Sequence, residues 1–488
     1  MSNSIINKRV RVPCLPSPAK INFNLSKIQR IKKPESNKVD RISALPDEIL
    51  VNIVAFLPLD EAQATSILSR RWRYIWKSVL DYTMTLNFDA EKHLSNFASR
   101  EELAIRWYVD WVDTVLNQYT GRKMKQFRVC YDLDSTFSRS IDGWIHFAMT
   151  KGVEMLELDL LEYGVTRRLE YPIYTFPHRL LGIVKESAWK HICSDVPRLS
   201  PCACIGFKSL KVLSLKCVDV DGQVLEYMFS NCPVLERLSL GYSPSLVSLR
   251  VVGPSIALKY LEIRGCARLE SIEICDTNLV SFVYYGNEIH LIVRNVPLLV
   301  EVSICESCNN DYILVAFTQL SCCLSQLEIL KLIDVILPYK RNPVFPIFTN
   351  LKHLELRFYE DDDCILLHLT SFIKASPCLH NLVLELYPLT CRREIEFRKA
   401  AKCSHDYLKV VEIFGYHGRK SDCELVKFLT EIAVNLEKIV TDPAHPAERH
   451  YCYPKHRRKP DIEVVARAEQ SSYDYATIVK KKFLRLGN

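Results

Sequence analysis

The sequence of 488 residues is 48% hydrophobic and 25% charged, and its formal net charge is +7. This is the composition of an ordinary globular chain, and it excludes a protein that is disordered throughout. The longest uncharged stretch, Tyr312 to Leu327, is too short to cross a bilayer. Because no secretory signal pattern is visible either, we expect no membrane association, a cytoplasmic or nuclear location, and reduced thiols for the 19 cysteines.

The charge is concentrated at the two ends of the sequence. Residues 1–39 hold nine bases and one acid, and residues 449–488 hold ten bases and four acids, which leaves a net charge of −7 for the residues between them. A centre without a clustered basic face predicts no nucleic-acid binding. We interpret residues 1–39 as a disordered basic extension and 443–488 as a basic tail; a nuclear-import signal, a membrane-surface role and an organelle transit peptide are the alternatives.

The segment 40–80 has the spacing of three short helices. Pro46 suits the first turn of a helix, because its missing N–H would have no partner there, and Pro58 ends the apolar periodicity that follows. A second helical stretch extends to about Leu68. Ser69 is a suitable N-cap for a third helix, whose apolar face consists of Trp72, Ile75, Trp76 and Val79.

Two parts of this segment, DRISALPDEIL from Asp40 and ATSILSRRWRYIW from Ala64, closely resemble the F-box of plant F-box/leucine-rich-repeat proteins. The resemblance implies docking onto the Skp-type adaptor of a ubiquitin ligase, and through the adaptor onto a cullin scaffold. Carried over residue by residue, it implies an adaptor-binding set of Leu45, Pro46, Ile49, Leu50, Ile53, Leu57, Ile67, Leu68 and Trp72. We interpret Trp76 instead as a packing residue against the next domain.

A repeat follows the F-box-like segment. After a predicted strand from Met84 to Phe88 and a predicted helix from about Glu102 to Asn117, the frame L-x-x-L-x-L recurs, with other apolar residues in place of some leucines. The frames begin at Val153, Leu210, Leu235, Leu258, Leu279, Leu299, Leu327, Leu351, Leu379 and Leu408. From Leu210 onward the steps are 25, 23, 21, 20, 28, 24, 28 and 29 residues, which is typical of leucine-rich repeats.

These repeats predict an α/β fold: the three-helix F-box, then, over 81–378, a linker helix and a curved solenoid whose strands form a parallel sheet on the concave side. Convex-side helices are expected over Val224–Ser230 and Ile365–Ala375. The interval between Val153 and Leu210 contains no clean frame from Arg179 to Cys204, so we expect a degenerate or looped-out repeat there.

Residues 379–442 resemble the FBD domain that follows the repeats in the same plant family. The resemblance is carried by LKVVEI from Leu408, ELVKFL from Glu424 and LEKI from Leu436. The segment is interpreted as one more strand, a helix and a closing strand that cap the apolar end of the solenoid.

No catalytic motif is present: the sequence has no phosphate-binding glycine loop, no G-x-S-x-G and no H-E-x-x-H. Cys305 and Cys308 form a lone pair that is better interpreted as two thiols beside a strand than as a zinc site. The acidic run 360–363 lacks the spacing of a calcium loop. The cluster His445, His450, Cys452 and His456 is interpreted as part of the tail. We therefore expect no cofactor, no metal and no enzymatic activity.

The favoured hypothesis is the non-catalytic substrate-recognition subunit of a Skp-cullin-F-box ubiquitin ligase. The alternatives are a stand-alone interaction scaffold with a vestigial F-box and an unrecognised hydrolase or metalloenzyme. Alternation along the strands predicts that the residues flanking the inward leucines face the target. From these we predict a target-binding set of Lys216, Arg237, Tyr260, Arg264, Val283 and Tyr285, in which the arginines meet an acidic part of a target protein and the tyrosines meet an apolar side chain. A merely solvated sheet face is the alternative.

Overall fold

The structure is a computed structural model that describes residues 41–89, 101–160, 172–178, 207–305, 312–333, 345–359, 364–387 and 403–443. The chain divides into two compact units, residues 1–50 and 51–488. Among the described helices, none combines the length and the apolar character needed to cross a bilayer.

The segment after residue 40 is helical, as predicted. It contains α1 (Asp47–Ala55), α2 (Leu59–Ala64), a 3-10 turn (Thr65–Ile67) and α3 (Arg70–Tyr82). Ser69 caps α3, because its side-chain oxygen accepts a hydrogen bond from the N–H of Trp72 at 3.4 Å.

Within the described residues, thirteen parallel strands form the main sheet. In the order of pairing they are β1 (Thr85–Asp89), β2 (Gln126–Cys130), β3 (Met155–Asp159), β5 (Val212–Lys216), β7 (Arg237–Gly241), β9 (Tyr260–Arg264), β11 (Ser281–Tyr285), β13 (Glu301–Cys305), β14 (Ile329–Ile333), β15 (His353–Tyr359), β16 (Asn381–Tyr387), β17 (Val410–Phe414) and β18 (Lys438–Asp442). The predicted α/β order of helical F-box and repeat strands is confirmed.

The pairing register explains the repeat frame. Equivalent frame positions lie side by side on neighbouring strands, so that Leu213, Leu238 and Leu261 form one row. All three side chains are fully buried. Burial of a leucine contributes about 1.5–3 kcal/mol, so a row of such residues fixes both the register and the face that each strand turns inward.

The sequence analysis missed β2, whose frame is Met124-Phe127-Val129. It is not easily recognised, because none of its three positions is a leucine, but Phe127 and Val129 are fully buried in the expected phase. β3 pairs directly with β5, and the segment from Arg179 to Cys204, where we expected a degenerate or looped-out repeat, lies outside the described residues. A short pair, β4 (Tyr174–Thr175) with β6 (Val218–Asp219), lies outside the main sheet.

In the described parts of the chain, the segments that return between the sheet strands are of two kinds. Some are helices: α4 (Glu101–Gln118), α5 (Ser138–Thr150), α6 (Gly222–Asn231), α7 (Tyr312–Gln319), α8 (Ile365–Ala375) and α9 (Lys420–Ile432). In the three shortest repeats the return segment is instead a strand, and β8 (Ser248–Val252), β10 (Ser271–Cys275) and β12 (His290–Arg294) form a second parallel sheet. We expected convex-side helices and did not predict this second sheet.

The second sheet is closed at its β12 edge by polar side chains. The amide oxygen of Gln319, at the end of α7, accepts a hydrogen bond from the Leu291 N–H at 3.2 Å. The Cys322 thiol donates to the Val293 carbonyl at 3.2 Å. Exposed strand edges are prone to pair with other chains, and these two contacts use groups that would otherwise be available for such pairing.

The last part of the described chain consists of β17, α9 and β18, which is the strand, helix and strand that we expected. Both strands continue the main sheet, because β17 pairs with β16 and β18 pairs with β17. The Asp422 carboxylate, in the first turn of α9, stabilises the start of this helix, because it accepts hydrogen bonds from the N–H groups of His417 and Arg419 at 2.9 and 3.0 Å. This unit is therefore an extension of the repeat sheet.

Candidate functional site

The predicted adaptor-binding residues up to residue 50 differ in accessibility. Pro46 and Ile49 are exposed, and Leu45 is half-buried. Leu50 is fully buried. A side chain with no accessible surface cannot contact a partner, so the assignment of Leu50 to the adaptor-binding set is wrong, and we assign it to the core.

Most predicted adaptor-binding residues after residue 50 are accessible. Ile67 is 82% exposed and Leu68 is 64% exposed, while Ile53 and Leu57 are also exposed and Trp72 is half-buried. Such a concentration of large exposed apolar side chains is typical of a surface that a partner covers.

Phe56 is a further exposed residue that the sequence analysis missed. Its side chain is 91% exposed, which is more than that of any other large apolar residue in the described part of the chain. The residue follows α1 directly and precedes Pro58. A phenylalanine at the end of an amphipathic helix resembles a core residue in the sequence, and only its exposure distinguishes it.

Two tryptophans connect the helices α2 and α3 to α4. Trp76 of α3 is buried, and its indole N–H donates to the side-chain oxygen of Gln118 at 3.2 Å. Trp111 of α4 donates in the same way to Gln63 at 2.6 Å. The interpretation of Trp76 as a packing residue agrees with this position. Because both indoles have hydrogen-bond partners, α2 and α3 are held to α4 by directional bonds as well as by apolar contact.

A second candidate surface is the face of the main sheet that the frame leucines do not occupy. The predicted alternation is observed: on β9, Leu261 and Ile263 are fully buried while Tyr260, Glu262 and Arg264 are only partly buried. We call this surface the variable face. Its positions at the strand starts, centres and ends form three rows across the sheet.

Charged side chains on the variable face are mostly neutralised by neighbours. Lys216 contacts Asp159 at 2.8 Å, and Arg357 contacts Glu385 at 2.6 Å. The other pairs join Arg128 to Asp89 at 3.4 Å and to Glu157 at 3.6 Å, and Lys331 to Glu355 at 3.4 Å and to Glu301 at 4.0 Å. Each pair joins neighbouring strands, so these charges are largely cancelled within the sheet.

Two arginines lie over tyrosine rings of the next strand. The Arg237 guanidinium is 4.0 Å from the centroid of the Tyr260 ring, and the Arg264 guanidinium is 3.8 Å from that of Tyr285. Cation–π contacts of this kind attract the guanidinium to the face of the ring. The Tyr285 hydroxyl lies 3.1 Å from the Ser303 hydroxyl, which fixes the second ring as well.

Glu262 is at the centre of this cluster. Its carboxylate accepts hydrogen bonds from Arg264, from the Ser239 hydroxyl at 2.8 Å and from the Tyr260 hydroxyl at 3.1 Å. Burial alone would raise the pKa of the Glu262 carboxyl, but the bond and charge of Arg264, with the two hydroxyl bonds, lower it. Burial and the Glu262 charge raise the pKa of the Tyr260 hydroxyl, which therefore stays protonated and can donate.

The structure changes the predicted target-binding set in two respects. Val283 is only 6% exposed, so it belongs to the floor of the variable face and offers almost no surface. Arg264 is neutralised by Glu262, and Lys216 by Asp159, so neither has a free charge for an acidic target. Arg237, Tyr260 and Tyr285 keep accessible positions on the face.

The described residues contain no group of three or more side chains arranged to hold a metal ion. The candidates Cys308, the acidic run 360–363 and the histidine cluster from His445 lie outside the described residues. Where the structure describes cysteines, they are free thiols, most of them buried or half-buried. Burial raises the pKa of the Cys232 thiol to about 11, so it remains protonated.

Comparisons with known protein families match two parts of the chain. The family described as "At1g61320/AtMIF1, LRR domain" matches residues 115–481, and the F-box domain matches residues 42–83. The F-box match covers α1 to α3, which contain the exposed apolar residues, and the repeat match covers the sheet from β2 onward.

Curated relatives come from Arabidopsis thaliana. "Putative F-box/LRR-repeat protein At5g02700" is 27% identical over 41% of this chain and 38% of its own length, and "F-box/LRR-repeat protein At3g03360" is 31% identical over 48% and 45%. The chain thus spans less than half the length of these relatives. "FBD-associated F-box protein At5g56370" is 26% identical over 83% of this chain and 91% of its own length. With a repeat-family match over most of its length, the chain belongs to the plant F-box/leucine-rich-repeat family, which includes FBD-associated F-box proteins.

Proposed function

We propose that this chain is the substrate-recognition subunit of a Skp-cullin-F-box ubiquitin ligase. The observation that carries the proposal is the exposure of large apolar side chains in the segment that matches the F-box. Phe56, Ile67 and Leu68 are all more than half exposed. Removing one such side chain from water contributes about 1.5–3 kcal/mol, so an apolar partner surface that covers these residues gains binding energy from each.

The proposed partner of these residues is a Skp-type adaptor, through which the chain reaches a cullin scaffold. The adaptor-binding residues are Leu45, Pro46, Ile49, Ile53, Phe56, Leu57, Ile67, Leu68 and Trp72. This set omits the buried Leu50 and adds Phe56. The most exposed members are expected to contribute most, because the half-buried Leu45 and Trp72 have less surface left to bury.

The proposed role of the variable face is to bind the target protein. Its half-buried tyrosines and arginines are the residue types that dominate protein recognition sites. The chain itself would perform no chemistry. It would hold the target near a ubiquitin-loaded enzyme, so that its contribution to the rate is proximity and orientation.

The experiment compares adaptor capture by matched variants of the full chain. Phe56→Asp combined with Ile67→Asp places two charges in the proposed apolar contact, and we expect adaptor capture to be lost, because burial of an unpaired charge is costly. Ile347→Asp is the control: Ile347 is also exposed, at 64%, but lies in the repeat region. Its capture of the adaptor is expected to equal that of the wild type.

Two results would contradict the proposal. Undiminished capture by the double variant, with an unchanged melting curve, would show that these residues do not bind the adaptor. Failure of the folded wild-type chain to capture any Skp-type adaptor would favour the stand-alone scaffold instead.

A further inference from the structure

Arg237 differs from the other basic residues of the variable face. Between β1 and β17, each described lysine, arginine or histidine on this face has a carboxylate oxygen within 4.0 Å, except Arg237. Its guanidinium instead lies over the Tyr260 ring. Arg237 is exposed, so its charge faces solvent without a counter-ion from the part of the chain that the structure describes.

The guanidinium of Arg237 is also held in place. It lies 4.0 Å from the centroid of the Tyr260 ring, and the Tyr260 hydroxyl donates to Glu262 at 3.1 Å. Glu262 is in turn fixed by Ser239 and Arg264. A guanidinium that stacks on a fixed ring still has its N–H edge free for a bidentate bond, and it loses less conformational entropy on binding than a mobile side chain.

Small side chains border Arg237 on the variable face. Val212 pairs with Arg237 in the sheet register, and Ser214 pairs with Ser239 one row further along. Gly241 completes β7, and a Cβ atom there would lie only 3.3 Å from the Lys216 Cγ. Towards β5 the Arg237 side chain is therefore bordered by the short, uncharged side chains of Val212 and Ser214.

The charges indicate which group binds there. Lys216 and Arg264, the two nearest cations along β5 and β9, already contact Asp159 and Glu262. One positive charge is therefore available, which matches a carboxylate, whereas a phosphate dianion would need a second free cation. On the basis of the proposed function, we propose that Arg237, stacked on Tyr260, binds one aspartate or glutamate carboxylate in an extended segment of the target protein.

The test selects peptides with the full chain from a displayed library of random linear peptides. The wild type is expected to enrich peptides that share one acidic position. Affinity for a selected peptide should fall about tenfold or more in Arg237→Gln, as for loss of a charge-assisted pair. Replacing the peptide's acidic residue with its amide should weaken wild-type binding to the same extent and should not weaken the Arg237→Gln variant further. Arg237→Glu should select lysine or arginine at that position.

The control is Arg250→Gln, because Arg250 is exposed on β8 of the second sheet and its loss should leave peptide affinity unchanged. The proposal is overturned if no peptide is enriched, if the enriched peptides lack a shared acidic position, if binding requires a phosphorylated residue, or if Arg237→Gln binds as tightly as the wild type. Adaptor capture by Arg237→Gln reports separately on the proposed function, which stands if the adaptor is bound and only the peptide result is negative.

Discussion

Arg237 and Arg264 each stack on a tyrosine of the neighbouring strand, yet they differ in available charge. Arg264 contacts Glu262, and this carboxylate also accepts bonds from Ser239 and Tyr260. Arg237 contacts only the Tyr260 ring among the described groups. Arg264 therefore has a structural role in β9, whereas for Arg237 on the neighbouring strand β7 we propose a binding role.

Glu262 makes the stability of the chain depend on pH. Its pKa is lower in the folded chain than in the unfolded chain, where the usual value is about 4.3. A lowered folded pKa stabilises the protein fully above the unfolded pKa, and the stabilisation is lost as the pH falls through the folded pKa. We expect Glu262→Gln to lower the free energy of unfolding at neutral pH. On acidification, the free energy of unfolding of this variant should decrease less than that of the wild type.

Urea unfolding of the wild type and of Glu262→Gln, measured from neutral pH down to about pH 3, tests this expectation. The two unfolding free energies should converge as the pH decreases below the usual glutamate range. A difference that stays constant over this range would show that Glu262 contributes no charge-dependent stability. Glu273→Gln is a suitable control, because Glu273 is paired with Arg250 on the second sheet at a more exposed site.

Single residues also show what the sequence could and could not predict. The helical periodicity of α1 places Leu50, Ile53 and Phe56 among apolar positions without distinguishing their surroundings. Leu50 is buried and Phe56 is exposed, because burial depends on what packs against each position. Val283 was predicted to be accessible from strand alternation, which gives the face of a sheet but not how far larger neighbours cover a small residue.

At the scale of secondary-structure elements, repeat length decides what forms on the return side of each repeat. The repeats with steps of 23, 21 and 20 residues contain β8, β10 and β12 on the return side. The repeat that begins at Leu210, with a step of 25 residues, contains α6, and the two repeats with steps of 28 residues, which begin at Leu299 and Leu351, contain α7 and α8. A strand spans more distance per residue than a helix, about 3.3 Å against 1.5 Å, so a short segment reaches the next strand only when it is extended. The step lengths were visible in the sequence, and this rule would have predicted the second sheet.

The end of β17 offers a test of how closely neighbouring strands approach each other. Gly415 has a φ of +76°, and a Cβ atom at this position would lie 2.2 Å from the Leu386 carbonyl oxygen. We expect Gly415→Ala to destabilise the chain, because both the backbone conformation and the clash with a main-chain atom oppose it.

Gly253→Ala is the matched control for this prediction. Gly253 also has a positive φ, of +120°, but no heavy atom lies within 4 Å of an added Cβ. Its substitution therefore costs only the conformational part, about 1–3 kcal/mol, and the melting temperature of Gly415→Ala should fall clearly below that of Gly253→Ala. Equal melting temperatures would show that β16 and β17 separate easily at this point.

At the scale of the whole molecule, the repeat frame was sufficient to predict most strands of the main parallel sheet. The frames from Val153 to Leu408 all coincide with strands, because each needs a buried apolar row that only a neighbouring repeat can cover. The neutralisation of charges across the variable face was not predictable in the same way. It depends on which strands become neighbours, such as β3 and β5, whose residues Asp159 and Lys216 are far apart in the sequence.

The proposed function predicts a stable complex with a Skp-type adaptor, and the mass of that complex is the most direct measurement of it. The wild-type chain is co-expressed with the adaptor, purified through a tag on the adaptor alone, and analysed by size-exclusion chromatography with light scattering. We expect a single species whose mass is that of one adaptor plus the 56.4 kDa chain. The account is contradicted if the folded chain is not retained with the tagged adaptor and, when it is purified through a tag of its own from the same cells, elutes alone at 56.4 kDa.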